Sequence, residues 1–346
     1  MHFVFLACNR NPDLFRRDPS WIYRCENPGL ALELLGHRVQ FSHYRRFNPL
    51  ERPDVVVFHR PRWSLRLQAL VRWLQWREVP VVADFDDLVF DVSLAEFSPG
   101  VRNSQLSLEK TRQQYRLNHR ALALFKRVTV STVPLHEHVL ALLPSVAVHV
   151  MPNAVHWRWH ALAAEGQGVT ARLSRPLITY LPGTRSHDRD FHCFAEGLQA
   201  FLTDHPAVRL AVTGPLTFSL PGVAGQLSVR DKLPFARFHA CFQDAWVNLA
   251  PLEATPFTRC KSALKVIEAG WWGIPTLCSP IPDAARFTGS GALPVQDAGD
   301  LYHQLSELLE PACYHALSDT IRTTIRPMVD VRLLAGEWLQ WVQEKV

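Results

Sequence analysis

The chain has 346 residues, 47% hydrophobic and 20% charged, with a formal net charge of +5. That is material for two packed domains of about 150 residues; the positive balance is too small and too spread for a nucleic-acid binder, but suits anionic ligands such as nucleotide diphosphates or an anionic membrane surface. No 18-residue apolar run occurs, Met1 leads straight into an apolar run, and the seven cysteines form no CxxC pair, so we expect a cytoplasmic chain with reduced thiols, no signal peptide and no spanning helix.

Phe3-Val4-Phe5-Leu6-Ala7 reads as the first strand. Asn9 to Ser20 is a polar loop with Arg10, Arg16 and Arg17. Tyr23 to Leu35 predicts a helix ended by Gly36, and His37 to Phe41 a strand. Arg24, at the mouth of that helix, is placed to meet a phosphate or an acidic acceptor. Asp54 to Phe58 is an unbroken apolar run, hence a central parallel strand. His59 and Arg60 sit at its carboxyl end, a cleft position. Arg62 to Arg77 predicts a helix with Trp63, Leu67, Leu70 and Leu74 as one stripe. Trp73 and Trp76 lie off that stripe among Arg62, Arg66, Arg72 and Arg77. Such a helix covers a sheet, and its basic aromatic face also suits a membrane surface.

Val79 to Ala83 is the next strand and runs into Asp84-Phe85-Asp86-Asp87-Leu88. Three carboxylates at a strand end need a cation, hydrogen-bond donors or solvent. A divalent-cation site and an acceptor-facing cluster are both open readings. Leu106 to Phe125 predicts a long helix, Val128 to Thr132 a strand, and Pro134 the first position of a further helix. Ala147 to Met151 closes the first half and ends in Pro152-Asn153-Ala154. His156 and His160 have the i, i+4 spacing of helical metal ligands, but no third ligand lies nearby. Ala161 to Arg175, polar with Gly166 and Gly168, reads as a linker.

Leu177 to Leu181 opens the second half as a strand. Pro182-Gly183-Thr184-Arg185-Ser186-His187-Asp188-Arg189-Asp190-Phe191 is a turn feeding a helix N-terminus, with Ser186 or Asp188 as cap. Its backbone amides suit a phosphate, with Arg185 and Arg189 as partners. Val208 to Thr213 and Gln226 to Val229 continue the sheet, and Phe235 to Phe242 is a helix. Ala245 to Leu249 then leads into PLEATPFTRCKSALKVIEAGWWGIPTLCSP, residues 251–280. This is strand, loop, helix from near Arg259, and strand Ile274 to Cys278: a βαβ unit whose loop lies where open α/β sheets bind ligands. Lys261, Lys265 and Glu268, at i, i+4 and i+7, share one helix face. The lysines make a phosphate seat and Glu268 an acceptor for sugar or ribose hydroxyls; a solvated charged face is the plainer reading. Phe287 to Val295 closes the sheet. Leu301 to Leu309, Tyr314 to Ile325 and Val331 to Val346 are helices.

The 251–280 string resembles the nucleotide-sugar loop and helix of GT-B glycosyltransferases, closest to the retaining group 1 or family 4 type, through Glu268-Ala269, Gly273 and Pro275. Cys260 stands where that motif usually has a second Glu. Tyr180, Gly183, Thr184, His187 and Asp190 are similar to the family's diphosphate turn, and Pro152-Asn153-Ala154 to its domain junction. Leu32 to Val39 is similar to the ending of its first helix. Asp84 to Leu88 resembles a D-x-D-D-L signature of a bacterial subset, which favours the acceptor-facing reading without a metal.

The resemblance implies an α/β fold of two Rossmann-like domains facing a cleft. Residues 1–160 would bind acceptor, 161–328 the nucleotide sugar, and 329–346 would cross back to the first domain, anchored by Trp338 and Trp341. It implies metal-independent, retaining transfer from a nucleotide-diphosphate sugar to a glycan or lipid-linked acceptor, in bacterial surface polysaccharide synthesis. No cofactor is expected; a peripheral contact with the inner membrane face is. Catalytic candidates are then Asp86, Asp87, Lys261 and Glu268, with Asp86 or Asp87 as base should the reaction invert. Gly183, Thr184, Arg185, His187, Arg189, Ser262 and Lys265 would bind donor, and Arg24, His59 and Arg60 acceptor. The chain lacks GxGxxG, GxxxxGK[ST], GxSxG and HExxH, which argues against dehydrogenases, P-loop kinases, serine hydrolases and zincins. A sugar-nucleotide epimerase on the same fold and a non-catalytic nucleotide-sugar-binding partner are the alternatives.

Overall fold

Six apolar runs of the first half form one parallel sheet in the computed structural model, which describes residues 1–162 and 168–344. They are β1 (His2–Ala7), β2 (Arg38–His43), β3 (Val55–His59), β4 (Val81–Phe85), β5 (Arg127–Val130) and β6 (Ala147–Val150), ordered β2-β1-β3-β4-β5-β6. β3 and β4 are buried along their whole length, as continuous apolar strands covered on both faces must be. The second half repeats the plan with β7 (Leu177–Tyr180), β8 (Arg209–Thr213), β9 (Leu227–Arg230), β10 (Val247–Ala250), β11 (Thr276–Cys278) and β12 (Ala292–Pro294). Its order is β12-β11-β10-β7-β8-β9, again parallel. The chain runs outward from β7 to β9 and returns on the other side of β7 at β10. The strand order reverses there, and the crevice outside the carboxyl ends is the place where such sheets bind ligands.

Two elements differ from the sequence reading in ways that shape the cleft. The first helix is not uniform. An α-turn (Pro19–Trp21) passes into a π-helical turn (Ile22–Glu26) and then an α-helix (Asn27–Leu34). Pro28 has no N–H for the Arg24 carbonyl, and its ring would collide with that carbonyl in a regular α-turn. The widened turn relieves both problems and buries Tyr23, Arg24 and Cys25 together. The helix expected from Arg259 is two short ones, Pro256–Arg259 and Leu264–Gly270. Thr255 caps the first by accepting from the Thr258 amide at 3.1 Å. Lys261 lies in the break, so it does not share a helix face with Lys265 and Glu268.

Smaller corrections are local. Pro134 is the second residue of its helix (Val133–Leu142), which Thr132 caps. The helix after β7 (Asp188–Asp204) has no side-chain cap; Asp188 accepts instead from the Thr217 amide at 3.0 Å, and Ser186 pairs with Thr184. Residues 163–167 of the expected linker lie outside the described residues, and Val169–Ser174 is helical.

The last helix, Val331–Gln343, returns to the first sheet; residues 345–346 of the expected run lie outside the described residues. Trp338 is buried against Phe3 and Phe5 and donates Nε1–H to Thr129 Oγ1 at 3.0 Å. Trp341 stacks on His149, and Arg127 Nη1 donates to the Trp341 and Val342 carbonyls at 2.9 and 2.7 Å. Among the described residues no helix is long and apolar enough to cross a membrane.

Candidate functional site

The carboxylates at the end of β4 sit in a low-dielectric sheet end, so each must find donors. Asp84, 2% exposed, accepts from Arg24 Nε at 3.2 Å and Nη2 at 2.6 Å, and His59 Nδ1 lies 3.1 Å from Oδ1, the oxygen that Arg24 Nε also reaches. Arg24 also donates to the Met151 carbonyl at 2.6 Å and Asn153 Oδ1 at 3.2 Å. Arg24, expected at the acceptor face, is therefore buried and fully engaged in holding Asp84. His59 Nε2 is 2.9 Å from Ser20 Oγ, which donates to Asp86 at 2.6 Å. Arg60 has a left-handed backbone, φ 46°, uncommon for a side chain of its size. Its guanidinium reaches Asp86 at 2.5 Å and Asp87 at 2.7 Å. Asp87 then pairs across the cleft with Lys261 Nζ at 2.6 Å. The acidic cluster is met by arginine, lysine, imidazole and hydroxyl groups. Among the described residues no group of three His, Cys, Asp or Glu side chains is arranged to hold a metal. Burial alone would raise the Asp86 carboxyl, but the charges of Arg60 and His59 and the bonds from Arg60 and Ser20 hold it well below the usual carboxylate range.

The facing wall comes from the ends of β7 and β10. A cavity of about 260 Å³ lies between the walls. Lys261, Ser262, Lys265 and His187 line it from the second domain, and Ser20, Tyr23, Asp86, Asp87 and Asn153 from the first. Behind it Glu268, 4% exposed, accepts from the Tyr23 hydroxyl across the cleft. Burial pushes the Glu268 carboxyl up to about 7, against the pull of the Tyr23 bond, Lys265 and Lys232. Burial likewise lowers Lys265, with Glu268 and Asp190 opposing. Among the described residues the Lys265 ammonium makes no hydrogen bond. His187 Nδ1 lies 2.8 Å from Asp190, and burial lowers its pKa. Lys232 Nζ donates to the Gly183 carbonyl at 3.1 Å. A Cβ built on Gly183 would meet only His187 Nε2, at 3.9 Å, so the backbone of this turn stands open to a ligand.

Asp86, Asp87, Lys261, Ser262, Lys265 and His187 are thus brought to one cavity. His59, Arg60 and Glu268 stand one hydrogen bond behind it. Thr184 and Arg185 are exposed and outside the cavity lining. Arg189, expected as a phosphate partner, is exposed and held by Glu253, which Arg102 of the first domain also binds. Those bonds hold the Glu253 carboxyl down at about 2.

The sequence reading missed Tyr23, Ser20, Lys232 and Glu253 and quoted Asn153 only as part of a junction motif. Asn153 Nδ2 donates to Ser262 Oγ at 3.0 Å, a direct tie between domains. Lys232 follows β9 at its carboxyl end, and that position was the available signal. Tyr23 had none, because its direction depends on the π-turn. Cys260 also finds an explanation. With Phe257 it plugs into the apolar core of the first domain, 1% exposed, and Thr132 Oγ1 donates to its carbonyl at 3.0 Å. A glutamate here would be a buried charge.

No protein-family model matches the sequence, and no curated protein does. Solved structures do match in fold. HepE of Anabaena, in complex with UDP, superposes with a TM-score of 0.61 at 11% identity over 99% of both chains. UDP-GlcNAc 2-epimerase of Neisseria meningitidis, bound to UDP-GlcNAc, does so with 0.51 at 12% identity over the full length of both. TarM matches with 0.59 at 9% identity over 84% of this chain, which spans 55% of the length of TarM. The two facing parallel sheets and the returning helix are the GT-B fold.

Proposed function

We propose that this chain is a glycosyltransferase that moves a sugar from a nucleotide-diphosphate sugar to a glycan or lipid-linked acceptor. The observation that carries the reading is the second-domain wall. Lys232, Lys261 and Lys265 surround an open glycine turn at the strand switch point, with the buried Glu268 beside them. Cleaving the anomeric C–O bond places negative charge on the departing diphosphate, and preorganised ammonium groups in a water-poor site stabilise that charge. Lys261 and Lys265 hold the phosphates and Glu268 accepts from donor hydroxyls. Among the donor-site candidates Gly183, Ser262 and His187 shape the seat.

Retention of configuration fits the first wall. Asp86 is held ionised and weakly basic by Arg60, and Asp87 is already paired with Arg60 and Lys261. A general base works best with a pKa near the operating pH. Asp86 does not meet that condition, and both oxygens of Asp87 are taken, one by Lys261 and one by Arg60, so the diphosphate oxygen that leaves the sugar takes the proton of the acceptor hydroxyl. Asp86 and Asp87 then orient the acceptor. The D-x-D-D-L likeness supports a place in bacterial surface polysaccharide synthesis.

One observation favours the epimerase reading. The Glu268 carboxyl, pushed up to about 7, has the poise an acid–base group needs beside a sugar nucleotide.

A thermal-shift screen against nucleotide diphosphates and their sugars tests the seat. A ligand at a hundredfold excess over Kd adds about 2.7 kcal/mol to native stability, several degrees in Tm. No shift with any of them ends the reading. Product analysis then separates the activities: free nucleotide diphosphate with a lengthened acceptor means transfer, an inverted sugar on intact nucleotide means epimerisation, and binding without turnover means neither. The anomeric configuration of a transfer product, read by NMR, decides retention.

A further inference from the structure

The three most exposed large hydrophobic side chains among the described residues are Trp76, Leu50 and Leu65, at 79%, 78% and 76%. All three stand on one face of the first domain. The helix Leu65–Trp76 buries Leu67, Val71 and Leu74 against the sheet. Positions 65, 69, 72 and 76 fall on its opposite side, and Leu65, Ala69, Arg72 and Trp76 are all exposed. A helix that faces only water carries charged and polar residues there; this one carries leucine, alanine, arginine and tryptophan. Arg66 Nη2 donates to the Arg45 carbonyl at 2.5 Å and Arg77 Nη1 to the Pro49 carbonyl at 3.5 Å. Those bonds seat the loop with Arg45, Arg46 and Leu50 beside the helix.

The charge is gathered on the same face. Residues 44–78 hold eight arginines against three acids, a balance of +5, which is the formal excess of the whole chain; elsewhere 29 basic residues face 29 acidic ones. The positive balance is therefore concentrated, not spread as composition alone suggests. Of the eight, Arg60 is turned into the cleft.

We propose that this face docks on an anionic lipid bilayer, with Trp76, Leu65 and Leu50 entering the headgroup layer and the surrounding arginines pairing with lipid phosphates. Tryptophan is favoured at the membrane–water interface, and a helix with basic and apolar outer residues lies in that plane. Charge selects this occupant over a second copy of the chain: a two-fold contact sets a patch against itself, here, with Arg60 set aside, +4 against +4. The apolar prongs select it over a polyanion, which would need none. The docking does not depend on the proposed transferase activity. Where that activity holds, the acceptor is lipid-linked, because the helix starts five residues after Arg60 and brings the bilayer to the cleft mouth.

The test is co-sedimentation of the full chain with phosphatidylcholine vesicles, with and without phosphatidylglycerol, at low and high salt. Partitioning onto the anionic vesicles exceeds that onto the neutral ones by about tenfold at low salt and falls at high salt. The double variant Leu65→Ser and Trp76→Ser loses about tenfold of the bound fraction, and Arg52→Glu with Arg72→Glu removes the preference for anionic lipid. These side chains are exposed, so Tm and its response to UDP stay unchanged in the variants, which separates lost docking from a lost fold or a failed donor seat. Equal partitioning on both vesicles, or variants that bind like the parent, overturns the proposal. So does a dimer in light scattering that Trp76→Ser dissolves, which would assign the face to a second copy.

Discussion

The two walls of the cleft use the same charged residue types and balance them in opposite ways. On the first, Asp84, Asp86 and Asp87 are matched in one continuous chain of bonds by Arg24, His59, Ser20 and Arg60. On the second, Lys232, Lys261 and Lys265 face two buried carboxyls: Asp190, already taken by His187 and the Glu253 amide, and Glu268, whose proton burial helps to retain. Lys261 finds its partner only by borrowing Asp87 from the opposite side. A wall whose carboxylates each find a donor within it can hold its shape unliganded. A wall with surplus cations is completed by an anion from outside. This difference, more than any motif, is what supports the proposed seat for a pyrophosphate on the second domain.

The comparison breaks first if Asp84 is dispensable. Asp84→Ala leaves the buried Arg24 guanidinium without its counter-ion, and removing one partner of a buried pair costs about 3–5 kcal/mol. Denaturant unfolding measures it; a loss below about 1 kcal/mol would mean that the first wall is not a scaffold.

The second wall has a pH signature of its own. The Glu268 carboxyl rises from an ordinary 4.5 to about 7 in the folded chain. Between those values the native state binds more protons than the unfolded state, so stability falls as pH rises. The span corresponds to about 3 kcal/mol, full below the lower value and gone above the upper. Glu268→Gln flattens that slope between pH 5 and 7. A parent protein that gains stability over this window would contradict the assignment.

A smaller effect sharpens the borrowed pair. Lys261→Ala lowers kcat/KM at least tenfold, about 1.4 kcal/mol of barrier. Asp87→Asn removes the carboxylate that competes with phosphate for the same ammonium, so UDP binds at least as tightly as before, read by calorimetry. Weaker UDP binding in Asp87→Asn would place the phosphates away from Lys261.

What was legible in the sequence follows from what is local. Apolar runs and turn residues gave both sheets, strand ends pointed to Asp86, Asp87 and His187, and helix spacing pointed to Lys265. Tyr23 was illegible because a proline four residues after Arg24 rewrites the helix into a π-turn, and that redirects side chains without changing the apolar pattern. Arg24 and Arg102 were misread or missed because a guanidinium reaches far, and its partner is chosen by contacts remote in sequence: Asp84 sixty positions on, Glu253 in the other domain. Lys261 looked helical by spacing, yet the helix that Thr255 starts, Pro256–Arg259, ends before it, and the next begins only at Leu264.

Arg189 supplies the finest discrimination. Sequence spacing makes it a phosphate ligand, whereas its guanidinium lies on Glu253 beside Arg102, exposed at the rim. Solvent screens such pairs, and exposed ion pairs contribute little. Arg189→Ala therefore changes UDP affinity by less than about threefold, while Lys265→Ala, which removes an ammonium from inside the cavity, costs far more. An Arg189→Ala loss equal to that of Lys265→Ala would mean that the donor pulls Arg189 away from Glu253 on binding. The seat would then extend past the glycine turn to the rim, and the surplus of the second wall would be larger by one cation.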